Sequence, residues 1–259
     1  MLELIGLYKT FNPGTVNEKR AINGLDLTLE DGDFVTVIGG NGAGKSTTLN
    51  LIAGAIPADQ GTIRLDGVDL TRLPEHKRAK YLGRVFQDPM MGTAATMGIE
   101  ENLALANRRG KSRGLRRGIT AQERALFREK LAALGLGLED RLTSRVGLLS
   151  GGQRQALTLL MATLNHPKLL LLDEHTPALD PKTADKVLQL TEEIVARDHL
   201  TTLMVTHNMR NAIQYGNRLI MMDAGRIVVD VRGEEKKNLS VRDLLEKFNV
   251  QNDRMLLSE

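Results

Sequence analysis

Two short segments carry residue types that handle phosphate. Gly39-Gly40-Asn41-Gly42-Ala43-Gly44-Lys45-Ser46 spells G-x-x-x-x-G-K-[ST] in full, and Thr47 follows. Small residues in such a loop let successive backbone N–H groups turn inward around a phosphate, and the next helix adds the positive end of its dipole. The lysine is expected to reach the β- and γ-phosphates, and the Ser46 hydroxyl to ligate Mg2+. A glycine-rich turn with a chance lysine would look similar, but the flanks argue against it. Phe34 to Ile38 before the loop is a β-rich apolar run, and Ser46 to Ile52 after it reads as a helix. The loop therefore predicts binding of a nucleoside triphosphate. The second segment is Leu169-Leu170-Leu171-Leu172-Asp173-Glu174. It puts an acid where a buried parallel strand would emerge at the carboxyl edge of its sheet. Adjacent side chains on an extended chain point apart. Asp173 can thus hold a metal while Glu174 addresses an attacking water; an ordinary acidic turn is the alternative.

The elements that must position these residues are legible in the periodicity. Leu25, Leu27 and Leu29 alternate with Asp26, Thr28 and Glu30, the pattern of a half-buried strand. Gly61 to Val68 reads as a strand with an Asp-Gly turn. From about Asp88 to Leu164 the spacing becomes helical, with Thr120 to Leu134 and the Ala156, Leu157, Leu160, Leu164 series. Strands return at Lys168 to Leu172, Thr201 to Val205, Arg218 to Met222 and Arg226 to Val229. Lys182 to Ala196 reads as a helix with Asp180 as its cap and Pro181 at its first position. Strands alternating with helices predict an α/β fold with a mostly parallel sheet covered on both faces.

Leu149-Ser150-Gly151-Gly152-Gln153-Arg154-Gln155, about twenty residues ahead of Asp173-Glu174, resembles the signature of the ATP-binding-cassette (ABC) family. Gln87 in Val85-Phe86-Gln87-Asp88 resembles the family's Q-loop, Ala178-Leu179-Asp180 its D-loop, and Val205-Thr206-His207 its switch histidine. Phe11 stands where the family has an aromatic that stacks on adenine, although core packing is an alternative for this residue; Gly32 is also in its usual place. The resemblance runs from about Leu4 to Asp230. It implies a P-loop NTPase with a RecA-like core, an N-terminal antiparallel β subdomain and an inserted helical subdomain. The expected division is core at 1–87 and 165–230, helices at 88–164 and a short tail at 231–259, with one amphipathic helix near Val241 to Phe248.

What the resemblance implies about the site is equally definite. ATP and Mg2+ are the expected ligands. Asp173, Ser46 and Gln87 would serve the metal, Glu174 would orient or deprotonate water, and His207 would touch the edge of the γ-phosphate. Family members pair head to tail, so that ATP lies between one copy's phosphate loop and the other's Ser150-Gly151-Gly152-Gln153 segment, with Asp180 nearby. Ser150 can cap a helix that begins at Gly151, whose bare amides would offer donors to a γ-phosphate. The implied work is ATP hydrolysis driving solute uptake through a separate permease, with the chain peripheral on the cytoplasmic face of the membrane. An extracytoplasmic solute-binding protein is an expected partner. The runs Asp173 to Val187 and Leu200 to Met209 resemble a subgroup serving amino acids of the tryptophan/tyrosine type. An ABC ATPase acting on DNA or ribosomes is the alternative; it would bring long coiled coils or a second cassette, and neither is present. A small-molecule kinase would have no use for the signature segment.

Two features depart from pattern. The family usually has proline where His175 stands; this imidazole could make activity pH-dependent near neutrality, or be a turn residue with a solvent or backbone partner. Asn107 to Gly118 holds Arg108, Arg109, Lys111, Arg113, Arg116 and Arg117 with no acid, either a solvated loop or a surface for anionic lipid or, less fittingly, nucleic acid. Composition narrows the rest. With 35 basic and 32 acidic residues the chain is too evenly charged for a general polyanion binder, and 3% aromatics leaves few ring faces for stacking bases, so no nucleic-acid partner is expected. Cysteine is absent, excluding disulfides and thiolate chemistry. The start Met1-Leu2-Glu3-Leu4 lacks the charge and apolar stretch of a signal peptide, which favours a cytoplasmic chain. No apolar run approaches the ~20 residues of a membrane span.

Overall fold

The computed structural model describes residues 1–111, 118–176 and 179–246. The chain forms two compact units, one from Met1–Pro74 with the chain from Thr201 onward, the other Glu75–Leu200.

The first unit opens with an antiparallel sheet. β1 (Leu2–Phe11) lies between β2 (Lys19–Leu29) and β4 (Gln60–Leu65), and the short β5 (Val68–Asp69) extends it. The period of two in β2 is real: Leu25, Leu27 and Leu29 are buried while Asp26 and Thr28 are exposed. Asp66 and Gly67, both with positive φ (49° and 76°), make the tight turn that the Asp-Gly pair predicts. β3 (Phe34–Gly39) runs into the phosphate loop, and α1 (Lys45–Ala53) leaves it.

In the second unit the short α2 (Glu75–Arg78) precedes β6 (Leu82–Val85), which pairs in parallel with β7 (Leu169–Asp173). Between those strands come α3 (Ile99–Asn107), α4 (Ala121–Ala132) and α5 (Gly151–Thr163); α6 (Pro181–Arg197) follows β7. The helices share a core built on Ile99, Leu103, Phe127, Leu131, Leu157 and Leu160. Arg124 grips Glu100 through both carboxylate oxygens (2.6 and 2.9 Å), tying α4 to the first turn of α3. Thr120 and Glu123 form a reciprocal cap at the start of α4, and Asp180 caps α6 by accepting from the Thr183 amide at 3.2 Å.

The chain then returns to the first unit with β8 (Thr202–Val205), α7 (Met209–Gln214), β9 (Arg218–Asp223), β10 (Arg226–Arg232) and α8 (Gly233–Lys237). In this unit β3 is flanked in parallel by β8 and β9, and β10 pairs antiparallel at the outer edge of β9. Arg218 is buried beside Asp230, donating to its two carboxylate oxygens at 2.8 and 2.6 Å and to the Thr28 carbonyl at 2.6 Å. The α/β class, the antiparallel N-terminal sheet, the mostly parallel strands and the inserted helices are as the sequence implies.

Three readings need correction or completion. α3 and β6 were not legible as elements, because Gly83 and Arg84 interrupt the apolar pattern of β6. Gly83 is required there, since a Cβ would stand 2.5 Å from the Ala162 carbonyl. The basic stretch is not simply solvated: Arg108 pairs with Glu123 at 3.0 Å, Arg109 donates to the Ala162 carbonyl at 2.9 Å, and Lys111 reaches Asn107 and Asn165. Arg113, Arg116 and Arg117 lie outside the described residues. Residues 241–246 are helical, and the remainder of the expected tail helix lies outside the described residues. Among the described residues no helix is long and apolar enough to cross a membrane.

Candidate functional site

The phosphate loop joins the carboxyl end of β3 to α1. Three of its glycines have positive φ: Gly39 (150°), Gly42 (85°) and Gly44 (104°). Gly44 is doubly constrained, for a Cβ would lie 2.7 Å from the Ala21 carbonyl of β2. The loop is therefore folded against the antiparallel sheet, and any side chain at that position would push it away. Lys45 is almost buried, and its ammonium donates to the Gly39 and Gly40 carbonyls at 2.9 and 3.1 Å. Ser46 is exposed on the first turn of α1, Thr47 is half-buried, and Asn41 is exposed at the tip of the loop while Ala43 is buried. His207 follows β8, the parallel neighbour of β3, so it leaves the same carboxyl edge as the phosphate loop and is exposed there. Phe11 ends β1, half-buried, with the Lys9 ammonium 5.8 Å from its ring centre. Lys19 escaped the motif reading: its ammonium lies 3.0 Å from where a Cβ on Gly42 would stand, a second cation beside the loop. The Lys19-Arg20 pair opening β2 is the sequence signal for it.

In the second unit the parallel register of β6 and β7, with Val85 opposite Leu172, sends Gln87 and Asp173 out of one sheet edge together. Gln87 is exposed in the bend after β6, and Asp88 steadies that bend by accepting from the Met90 amide at 2.8 Å. Asp173 is partly buried, and an Arg84 guanidinium nitrogen lies 3.7 Å from its carboxylate. Arg84 also stacks on Phe86, 4.5 Å from the ring centre. Burial pushes the Arg84 pKa down, while the Asp173 carboxylate pulls it back up. Arg84 is the residue the sequence reading missed, since a single arginine inside a short apolar strand carries no motif. Glu174 leaves the strand with φ of +40°, a left-handed conformation rare for a residue with a side chain.

The signature segment starts α5. Ser150 is its N-cap: the Gln153 amide donates to Ser150 Oγ at 3.3 Å, and the Gln153 carboxamide oxygen accepts from the Ser150 amide at 3.2 Å. The Ser150 cap is the one the sequence implies; its reciprocal half occupies the Gln153 side chain, whose nitrogen also donates to the Leu136 carbonyl at 3.4 Å. Gly151 is exposed and Gly152 is buried. A Cβ on Gly152 would stand 2.1 Å from Thr183 Cγ2, so this glycine is needed for α5 to meet the first turn of α6, whatever its amide binds. Asp180 is exposed, its carboxyl held below the usual range by the hydrogen bonds from Thr183. Ala178 lies outside the described residues.

His175 overturns both readings offered for it. Only 3% of it is exposed, its Nε2 lies 3.2 Å from Thr191 Oγ1 on α6, and burial pushes its pKa down to about 4. It is neither a solvent-facing turn residue nor a group that titrates near neutrality.

Comparisons with known proteins give the chain's family and relatives. The ABC transporter family matches residues 22–177. The chain is 48% identical over 249 residues to the tyrosine transport ATP-binding protein of Clostridioides difficile, covering 96% of this chain and 98% of that protein. It is 34% identical to a spermidine/putrescine import ATP-binding protein of Haemophilus ducreyi and 35% identical to a methionine import ATP-binding protein of Enterococcus faecalis. The chain spans 64% of each of those two, covering 96% and 88% of itself. Among solved structures, a dimeric ATP-binding cassette bound to ADP and phosphate in a post-hydrolysis state superposes with a TM-score of 0.74 at 28% identity, covering 90% of this chain and 98% of that one. The ADP conformation of another ABC transporter cassette gives 0.78 at 26% identity, covering 96% and 98%. A chain that shares this fold with such cassettes, and 48% of its residues with one relative over nearly its whole length, belongs to the ABC transporter family, as its ATP-binding and ATP-hydrolysing subunit.

Proposed function

We propose that this chain powers uptake of an aromatic amino acid of the tyrosine or tryptophan type. In this reading two copies close on ATP, on the cytoplasmic face of a permease supplied by an extracytoplasmic binding protein. The observation that carries it is the 48% identity to a tyrosine transport ATP-binding protein, matched over 98% of that protein's length. The pairing of copies draws support from the dimeric cassettes among the structural relatives and from the capped, glycine-led start of α5.

The chemistry follows from the donors each segment offers. The amides of Gly39 to Gly44 and the Lys45 ammonium would hold the phosphates, and the ring of Phe11 would stack on adenine. Ser46, Gln87 and Asp173 are oxygen donors, a hydroxyl, a carboxamide and one carboxylate, and such a set suits Mg2+ held largely by substrate phosphates. Bound Mg2+ would neutralise phosphate charge. Glu174 would orient or deprotonate the attacking water, with His207 at the edge of the γ-phosphate. From a second copy, the Ser150, Gly151 and Gly152 end of α5 would approach that phosphate, with Gln153 and Asp180 flanking it. Positioning and charge stabilisation supply most of the acceleration in such a transfer.

The test is uptake of labelled tyrosine and tryptophan into vesicles carrying the chain, the permease that co-purifies with it and its binding protein. ATP-driven accumulation is expected, and Glu174→Gln should abolish it and cut ATP turnover to a small residual rate while ATP still binds. Accumulation unaltered by Glu174→Gln, or absent for every aromatic amino acid, would overturn the reading.

A further inference from the structure

His175 sits beside the proposed hydrolytic carboxylate yet faces away from solvent. Thr191 Oγ1 donates to the Val187 carbonyl at 2.8 Å, one helical turn back. Its single proton is thereby used, so toward His175 the hydroxyl oxygen can only accept. The 3.2 Å contact is accordingly a hydrogen bond from His175 Nε2–H to Thr191 Oγ1. Thr191 has no exposure and His175 almost none, so water cannot substitute for either partner.

This bond lies next to a strained residue. Glu174 holds φ of +40°, and such a conformation in a non-glycine residue persists only where its neighbours over-determine it. On one side the β6–β7 ladder fixes the chain as far as Leu172, and Arg84 lies 3.7 Å from the Asp173 carboxylate. On the other side the fixed point is His175, bonded to α6. Proline, the family's usual residue here, stiffens the chain through its own ring. Histidine does not, and the cross-link to Thr191 supplies the constraint from outside.

We propose that His175 is a positioning residue for ATP hydrolysis, holding the Glu174 peptide in its left-handed conformation through the Nε2–H bond to Thr191. The proposal rests on the reading of Glu174 as the hydrolytic carboxylate. It concerns presentation of that carboxylate, so it predicts a loss in kcat without loss of nucleotide affinity.

The experiment compares steady-state ATP turnover of the full chain with Mg2+ for Thr191→Val, Thr191→Ser, His175→Gln and Glu174→Gln. Thr191→Val keeps the volume and removes the acceptor; kcat should fall about tenfold, the rate equivalent of one buried hydrogen bond, with KM for ATP unchanged. Thr191→Ser restores a hydroxyl, and His175→Gln keeps an N–H at similar reach; both should stay within about threefold of wild type. In the Glu174→Gln background, Thr191→Val should lower residual turnover no further, because residues acting as a unit are not additive. Thr191→Val at wild-type kcat, or a full extra loss on top of Glu174→Gln, overturns the proposal. Wild-type turnover by Glu174→Gln would overturn the underlying reading and the proposal together. An inactive Glu174→Gln beside a fully active Thr191→Val would overturn the proposal alone.

Discussion

Gly152→Ala separates packing from ligand binding in the signature segment. The added Cβ would meet Thr183 Cγ2 at 2.1 Å, where carbon atoms ordinarily rest about 3.5–4.0 Å apart. Thr183 stands in the capped first turn of α6, its amide bonded to Asp180, so it cannot retreat freely. Overpacking of this kind costs about 1–3 kcal/mol, against which alanine recovers up to about 1 kcal/mol of helix propensity. The net expectation is a loss of about 1–2 kcal/mol, or roughly 5 °C in Tm. The next nearest atom is Thr183 Cβ at 3.6 Å, an ordinary contact. Thr183→Ser therefore removes the obstruction: the double variant should be as stable as Thr183→Ser alone or up to about 1 kcal/mol more stable. Urea unfolding of the four proteins in the cycle gives the answer. If Gly152→Ala costs the same in the threonine and serine backgrounds, the steric argument is wrong.

The remaining predictions concern buried charge. His175 has its pKa pushed from 6.5 down to about 4 by burial, so the unfolded chain binds the proton more readily; the linked stability is complete above pH 6.5 and is lost as pH falls toward 4. Between pH 7 and pH 5 the wild type should lose about 2 kcal/mol more than His175→Gln, measured by urea unfolding, and equal losses would contradict the burial. Arg218→Met should lower stability by about 2 kcal/mol, because it removes the two hydrogen bonds that the buried guanidinium gives Asp230 and leaves the Thr28 carbonyl without this donor; an unchanged Tm would contradict this.

The sequence made the local devices plain and the tertiary ones obscure. The phosphate loop, the Ser150 and Asp180 caps and the alternation in β2 each depend on residues a few positions apart, so spacing reveals them. His175 looked like a turn residue because its partner, Thr191, is a full helix away and only packing joins them. Gly152 read as an open amide donor because nothing local announces Thr183. Arg108, Arg109 and Lys111 looked like a solvated charge run, yet their partners at Glu123, Ala162 and Asn165 are brought in by the helical fold. Arg84 was hidden for the same reason: Asp173 becomes its neighbour only through the parallel register of β6 and β7.

That a second copy completes the reaction centre is the claim most directly open to test, by sedimentation of Glu174→Gln with and without ATP and Mg2+. The account predicts that ATP doubles the mass from the 28.5 kDa monomer, and that ADP does not. A nucleotide-saturated Glu174→Gln chain that sediments as a monomer at all concentrations would contradict it.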